Sequence, residues 1–84
     1  RLAPHAWGSG VLFAASIHMA MSAPNCHILE VSQGYMPMMY ELFEEPYDIR
    51  EGVVYAPQKP GLGFTLREDA LEKFEYIPGP EYVF

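Results

Sequence analysis

Residues 11–22 read Val-Leu-Phe-Ala-Ala-Ser-Ile-His-Met-Ala-Met-Ser, a helix-length run interrupted mainly by Ser16 and His18. Such a helix is apolar on nearly every side and has to be covered on most of its faces. The sequence has only 84 residues to do this with, and a chain of that size buries only about 60% of the surface its unfolded form exposes. Disorder is no alternative, because half the residues are apolar and 14% aromatic. The chain is therefore folded but short of core, which fits one small domain or a piece of something larger.

Around that helix the punctuation is that of an α/β crossover unit. Pro4 keeps the residue before it extended, so Leu2-Ala3 reads as the last step of a strand. Gly8 and Gly10 give a turn, with Ser9 as candidate helix N-cap. Pro24-Asn25 ends the helix, and residues 26–31 (Cys-His-Ile-Leu-Glu-Val) have the length and composition of a buried parallel strand. Residues 34–42, with Pro37 inside, read as irregular or broken helix, and 43–48 as loop. Residues 51–57 are expected to form a second strand and Pro60-Gly61-Leu62-Gly63 a turn. Thr65 and Glu68 have capping-box spacing for a helix to about Phe74, with Leu66, Ala70, Leu71 and Phe74 on its apolar side. Residues 77–84, with two prolines and two aromatics, read as an extended arm that needs a partner surface.

Charge removes several functions. Acidic residues outnumber basic ones 11 to 5, for a net charge of −6, so no Lys/Arg stripe is available for phosphate tracking and no nucleic-acid partner is expected. The longest apolar run, residues 11–15, is far below the roughly 20 residues that span a bilayer, so no membrane partner is expected either. A single cysteine, Cys26, excludes an internal disulfide and suggests a reducing compartment; with no signal-peptide pattern, the expected location is cytoplasmic.

Two residues stand out for chemistry. His5 lies at the end of the first strand, just before a Gly-rich turn, where α/β folds place their reactive groups. Its imidazole suits proton transfer near neutrality, the alternative being a hydrogen-bonded structural histidine. Glu30 sits in an apolar strand, where an unpaired carboxylate would be costly. At the strand's end it would share a rim with His5 if the two strands are parallel neighbours; the alternative is a carboxylate bonded to loop amides. His18 reads as a packing or polar contact. Cys26, His27 and Glu30 lack zinc-site spacing, and the group Glu41, Glu44, Glu45, Asp48 and Glu51 lacks the EF-hand pattern and reads as a solvated face. No metal ligand is assigned within the chain.

Taken in order, Pro4-His5-Ala6-Trp7-Gly8-Ser9-Gly10, the Ala-Ala-Ser-Ile-His-Met-Ala helix core, Ala23-Pro24-Asn25, Ile28-Leu29-Glu30, and Gly52-Val53-Val54 leading to Pro57-Gln58-Lys59-Pro60-Gly61-Leu62-Gly63 cover nearly the whole chain. This ordered set resembles the C-terminal end of the enolase superfamily, in its mandelate racemase/muconate lactonizing enzyme branch. The Pro-His-x-Trp-Gly form is most similar to acid-sugar dehydratases and galactarolactone cycloisomerases.

The resemblance implies an α/β fold: the C-terminal portion of a (β/α)8-type TIM barrel, with a tail that packs on an N-terminal capping domain. Residues 1–50 would end the barrel domain; residues 51–84 would form the hairpin, helix and tail returning to the cap. It implies His5 as general acid/base, Glu30 as the carboxylate that bonds the substrate's carboxylate and helps stabilise an enediolate, and Trp7 as a wall near the sugar chain. The implied reaction removes a proton α to a carboxylate with help from Mg²⁺, whose ligands, like the histidine's Asp partner and a Lys-x-Lys base, would lie on earlier strands outside this sequence. Implied partners are a small sugar acid or its lactone, the N-terminal part of the same enzyme and, when complete, further copies in a homo-oligomer. The competing expectation is a truncated, inactive chain acting as an interaction or oligomerisation module.

Overall fold

The structure is a computed structural model and describes residues 1–79. Residues 80–84 of the expected arm lie outside the described residues. Helix α1, Gly10–Ser22, forms as its three alanines, two methionines and Leu12 favour. Ser9 occupies the N-cap position in extended conformation without a side-chain cap bond, and its carbonyl accepts the Phe13 N–H at 3.2 Å. The polar interruptions are absorbed locally: Ser16 Oγ donates to the Leu12 carbonyl and Ser22 Oγ to that of Met19, each at 2.8 Å.

Helix α1 connects two segments that run parallel. The Leu2 N–H donates to the Asn25 carbonyl at 2.8 Å and the His27 N–H to the Leu2 carbonyl at 3.2 Å, giving a parallel bridge between Leu2 and Cys26. The strand expected over residues 26–31 is thus reduced to this bridge. Pro4 has no N–H with which to continue the ladder, and the Cys26 N–H turns back to the Ala23 carbonyl.

Helix α2, Pro37–Tyr40, begins with proline in its first turn, where the missing N–H costs nothing. Strands β1, Ile49–Arg50, and β2, Val53–Val54, form an antiparallel hairpin with Ile49 opposite Val54. Its two turn residues, Glu51 and Gly52, have φ of 51° and 76°, the positive values a tight hairpin turn requires. The strand expected over 51–57 therefore loses its first two residues to the turn, and the 50/51 division falls inside the hairpin.

The expected capping box does not form. Thr65 donates both its N–H and its hydroxyl to Glu45, while Leu66 bridges Phe43 in antiparallel fashion. Residues 65–67 are thereby held extended, and helix α3 is only Ala70–Lys73 with Asp69 at its N-cap. Of the expected apolar face, Ala70 is buried and Phe74 half-buried, but Leu66 is exposed and Leu71 is 81% exposed.

The core is two adjoining clusters against one face of α1. Ala14 packs with Leu42, Phe43 and Ala70, and Phe13 and Ile17 pack with Met39. Tyr47 and Phe64 touch both clusters and join them. The Tyr47 ring meets Phe13 edge-on at 4.8 Å and Phe64 at 5.3 Å, and its hydroxyl donates to the Met39 carbonyl at 2.5 Å. Burial pushes the Tyr47 phenol up to about 12. Gly10 makes this approach possible, since a Cβ there would lie 2.9 Å from Tyr47 Oη, 3.0 Å from the Met39 carbonyl oxygen and 3.1 Å from a Phe43 ring carbon.

Two predictions follow from this packing. Gly10→Ala improves helix propensity yet overpacks the contact between α1 and Tyr47, so urea unfolding of the complete protein should show a loss of about 1–2 kcal/mol rather than a gain. Glu45 is held at about 2, below its ordinary 4.5, by hydrogen bonds first from Lys59 and then from the Thr65 hydroxyl and N–H. A depressed carboxyl contributes stability that is present above 4.5 and lost as pH falls through about 2. Stability measured across that window should decline, and Glu45→Gln should flatten the decline.

Candidate active site

The parallel bridge at Leu2 and Cys26 fixes where the first strand's end lies relative to the segment after α1. In a regular parallel ladder the next bond to the first strand would run from the Leu29 N–H to the Pro4 carbonyl. It runs instead from the Glu30 N–H, at 3.2 Å. One extra residue is thus taken up between the two anchor points, and Glu30 comes level with His5 instead of Ala6. Because side chains alternate faces, the same slip puts Glu30 on the face of His5.

The His5 and Glu30 side chains consequently meet, with His5 Nδ1 bonded to Glu30 Oε2. If Nδ1 carries the shared proton, Nε2 is left as the basic nitrogen; after proton uptake the ring is an imidazolium facing a carboxylate. The side chains remain 68% and 60% exposed. Solvent screening at that exposure makes the pair a device for orienting the ring more than a source of stability.

Beside the pair is an open cleft of about 280 Å³, also lined by Trp7, Ser32 and Gln33. Trp7 is 58% exposed, presenting an aromatic surface to the cleft. All three residues picked from the sequence, His5, Glu30 and Trp7, are thus brought to one place. Ser32 and Gln33 carry no motif of their own; their position just past a strand-end carboxylate is the signal the sequence offers for them.

The remaining candidates are elsewhere. His18 Nε2 bonds the Leu62 carbonyl at 2.7 Å and pins the 60–63 turn to α1, a polar contact as expected. Cys26 and His27 line a separate apolar hollow that faces Val53 and Val54. The acidic group is not a uniformly solvated face. Glu41 bonds Lys73 and Tyr35, which hold its carboxyl below the usual range; Glu45 bonds Lys59 at 2.8 Å and Asp48 bonds Arg50 at 2.7 Å. The Glu41–Lys73 and Glu45–Lys59 pairs join segments far apart in sequence, whereas Asp48–Arg50 is local. Among the described residues, no three His, Cys, Asp or Glu side chains converge as metal ligands, and no helix is long and apolar enough to cross a membrane.

The sequence model of enolase C-terminal domain-like proteins matches residues 1–70. The chain is 35% identical over 88 residues to the D-galactarolactone cycloisomerase of Agrobacterium fabrum, a match covering 95% of this chain and 23% of that protein. It is 35% identical over 80 residues to a D-galactonate dehydratase family member of Streptomyces bingchenggensis, covering 93% and 19%. To the D-mannonate dehydratase of a Sphingomonas species it is 34% identical over 68 residues, covering 81% and 17%. The chain thus spans about a fifth of the length of these curated relatives. The strand–helix–strand unit with parallel pairing is the repeating element of an α/β barrel. On these matches the chain belongs to the enolase C-terminal domain-like family, in the mandelate racemase/muconate lactonizing enzyme branch of the enolase superfamily.

Proposed function

We propose that this chain is the C-terminal part of an acid-sugar dehydratase or cycloisomerase. The observation that carries the reading is the His5 ring, held through Nδ1 by Glu30 at the edge of a cleft walled by Trp7. The relatives' names supply the substrate class: a galactarolactone cycloisomerase and sugar-acid dehydratases. Their common chemical problem is a proton on carbon next to a carboxylate, or its return to that carbon.

In this reading His5 Nε2 takes the α-proton, and the ring becomes an imidazolium beside Glu30. In a dehydration the same ring hands that proton to the departing β-hydroxyl, which leaves as water. Glu30 keeps the ring in place through Oε2, while Oε1 is available for the substrate's carboxyl end. Trp7 lies along the carbon chain of the sugar, where its flat apolar face covers C–H groups and leaves hydroxyls to Ser32 and Gln33.

Mg²⁺ in this reading would stabilise negative charge on the substrate's carboxylate. The described residues do not fit it: among them Glu30 is the one carboxylate at the cleft, and a hard dication needs several converging oxygen ligands. Its ligands are therefore assigned to the preceding part of the protein, as are the surfaces that cover α1. Residues 51–84 are assigned to the return toward a capping domain, and the complete enzyme to a cytoplasmic homo-oligomer.

A second reading, a truncated interaction module, is favoured by the exposure of Leu71, Tyr76 and Ile77, each above 80%. Size-exclusion chromatography with thermal circular dichroism on the 84-residue chain separates the two. A monomer that unfolds cooperatively would contradict the enzyme-segment reading; a molten or aggregated product agrees with it.

The enzyme reading is tested directly in the complete reading frame, assayed with Mg²⁺ against a panel of sugar acids and their lactones. Turnover of at least one is expected, and His5→Asn should lower kcat by about 10²–10⁴-fold with the circular dichroism spectrum unchanged. Full activity in that variant would remove His5 from the mechanism. An upstream stop codon, with no Lys-x-Lys and no three spaced carboxylates encoded there, would remove the enzyme reading.

A further inference from the structure

We infer that Glu41 is a positioning residue for the cleft: through Tyr35 its carboxylate ties the loop that carries Ser32 and Gln33 to the core. The kinetic consequence rests on the proposed function, whereas the hold on the loop stands on contacts within this chain.

Residues 31–36 form the loop between the strand-end carboxylate and α2. At one end the Glu30 N–H is fixed to the Pro4 carbonyl; at the other the Met36 carbonyl accepts the Met39 and Tyr40 N–H groups at 3.0 and 3.1 Å. Among the described residues no main-chain bond holds the loop between these points. Ser32 and Gln33, which line the cleft, therefore depend on side-chain ties. Val31 packs against the core just before them. Just after them comes Tyr35, whose hydroxyl donates to Glu41 Oε2 and whose ring stacks on Tyr40 at 5.5 Å with the planes 11° apart. Two residues of chain reach at most about 7 Å, so fixing Tyr35 confines Gln33. Tyr40 Oη also lies 3.4 Å from the Ser32 carbonyl, backing the loop on its other side.

Glu41 is a firm anchor for this tie. Its N–H donates to the Pro37 carbonyl at 2.7 Å at the end of α2, and it directly precedes the buried Leu42 and Phe43. Its second oxygen, Oε1, accepts from Lys73 Nζ on α3. Helix α3 is itself held in the cluster of Leu42 and Phe43 by Ala70. A carboxylate offers two acceptor oxygens and no donor, which suits two donors that converge on it. Lys73 thus sets the Glu41 side chain, and Glu41 sets Tyr35. Neither Glu41 nor Tyr35 is among the residues lining the cleft, so loss of the tie reaches a substrate only through Ser32 and Gln33.

The test uses four forms of the complete protein: native, Tyr35→Phe, Glu41→Ala, and both changes together. Tyr35→Phe keeps the stacked ring and removes one exposed hydroxyl, so it decides the matter if Glu41→Ala does not fold. Amide hydrogen exchange read by mass spectrometry should speed up over residues 31–36 in every variant and stay unchanged over α1. With a turned-over sugar acid, KM should rise about five- to tenfold, as for one lost hydrogen bond to a substrate hydroxyl. The kcat should stay within about twofold of native, since lost ground-state binding leaves the chemical step alone. The double variant should show the KM of Glu41→Ala, because both changes break the same connection. A native KM in Tyr35→Phe, or a fall in kcat at unchanged KM, overturns the inference. So do additive effects in the double variant, which would mean that the two residues act separately. If the native protein turns over no sugar acid, the proposed function fails. The exchange of residues 31–36 then decides alone whether Glu41 holds the loop, and unchanged exchange in Tyr35→Phe overturns that hold.

Discussion

The close approach of Tyr47 to the first turn of α1 is the contact on which the arrangement depends. A tyrosine ring wedged between a helix and a loop supplies a large apolar area, and its hydroxyl must find an acceptor once buried. Here the acceptor is the Met39 carbonyl at the end of α2, and the space for the bond exists because residue 10 has no side chain. The single phenol therefore ties together α1, α2 and, through Phe64, the segment that leads to α3. With α1 fixed on that side, its two ends deliver the chain to the parallel bridge, and the bridge delivers His5 and Glu30 to the cleft. The site is thus positioned from behind, by packing on the far face of the helix.

The elements with strong local causes were legible in the sequence. The α1 span, the broken helix begun by Pro37 and the 60–63 turn all follow from composition and punctuation. So did the placing of His5 and Glu30 on one rim, given two parallel strands joined by a helix; that their side chains share a face came from the one-residue slip. What local pattern could not show was competition from distant partners. Thr65 and Glu68 have the spacing of a capping box, yet Glu45, distant in sequence, offers Thr65 a charged acceptor for both its donors at 2.6 and 2.7 Å. Charge-assisted bonds of that kind outweigh a neutral cap. Likewise Ile49-Arg50 gave little strand signal on its own; it pairs because Glu51-Gly52 closes the hairpin. The slip before Glu30 was also hidden, since it is defined by main-chain bonds between segments far apart in sequence.

The surplus of exposed apolar surface has a consistent geometry. Val11, Leu12, Ala15 and Met19 share one face of α1 by helical spacing, and all are exposed while Phe13, Ala14 and Ile17 on the opposite face are buried. An ordinary surface helix has polar residues on its outer face, whereas this helix has apolar residues on both. That is the pattern of a helix flanked by neighbours on more than one side. In a chain that spans about a fifth of its relatives' length, the outward stripe and the open edges of the parallel pair present the same unmet requirement for cover.

The exposure of the His5–Glu30 pair bears on its chemistry in the same way. Two charges in bond contact under water attract only weakly, by about 1 kcal/mol at 4 Å, and roughly four times more at the effective dielectric of a partly enclosed protein site. Geometry comes first, because the slip before Glu30 aligns the two side chains whatever surrounds them. Enclosure then determines how strongly the carboxylate favours the charged ring. If a neighbouring strand covered the pair, the cost of desolvating Glu30 would be offset only while the imidazole partner stayed opposite it. That alignment would then carry more weight than it does in the open cleft. A register set by main-chain bonds suits that demand, since it does not depend on the dielectric in which the side chains finally sit.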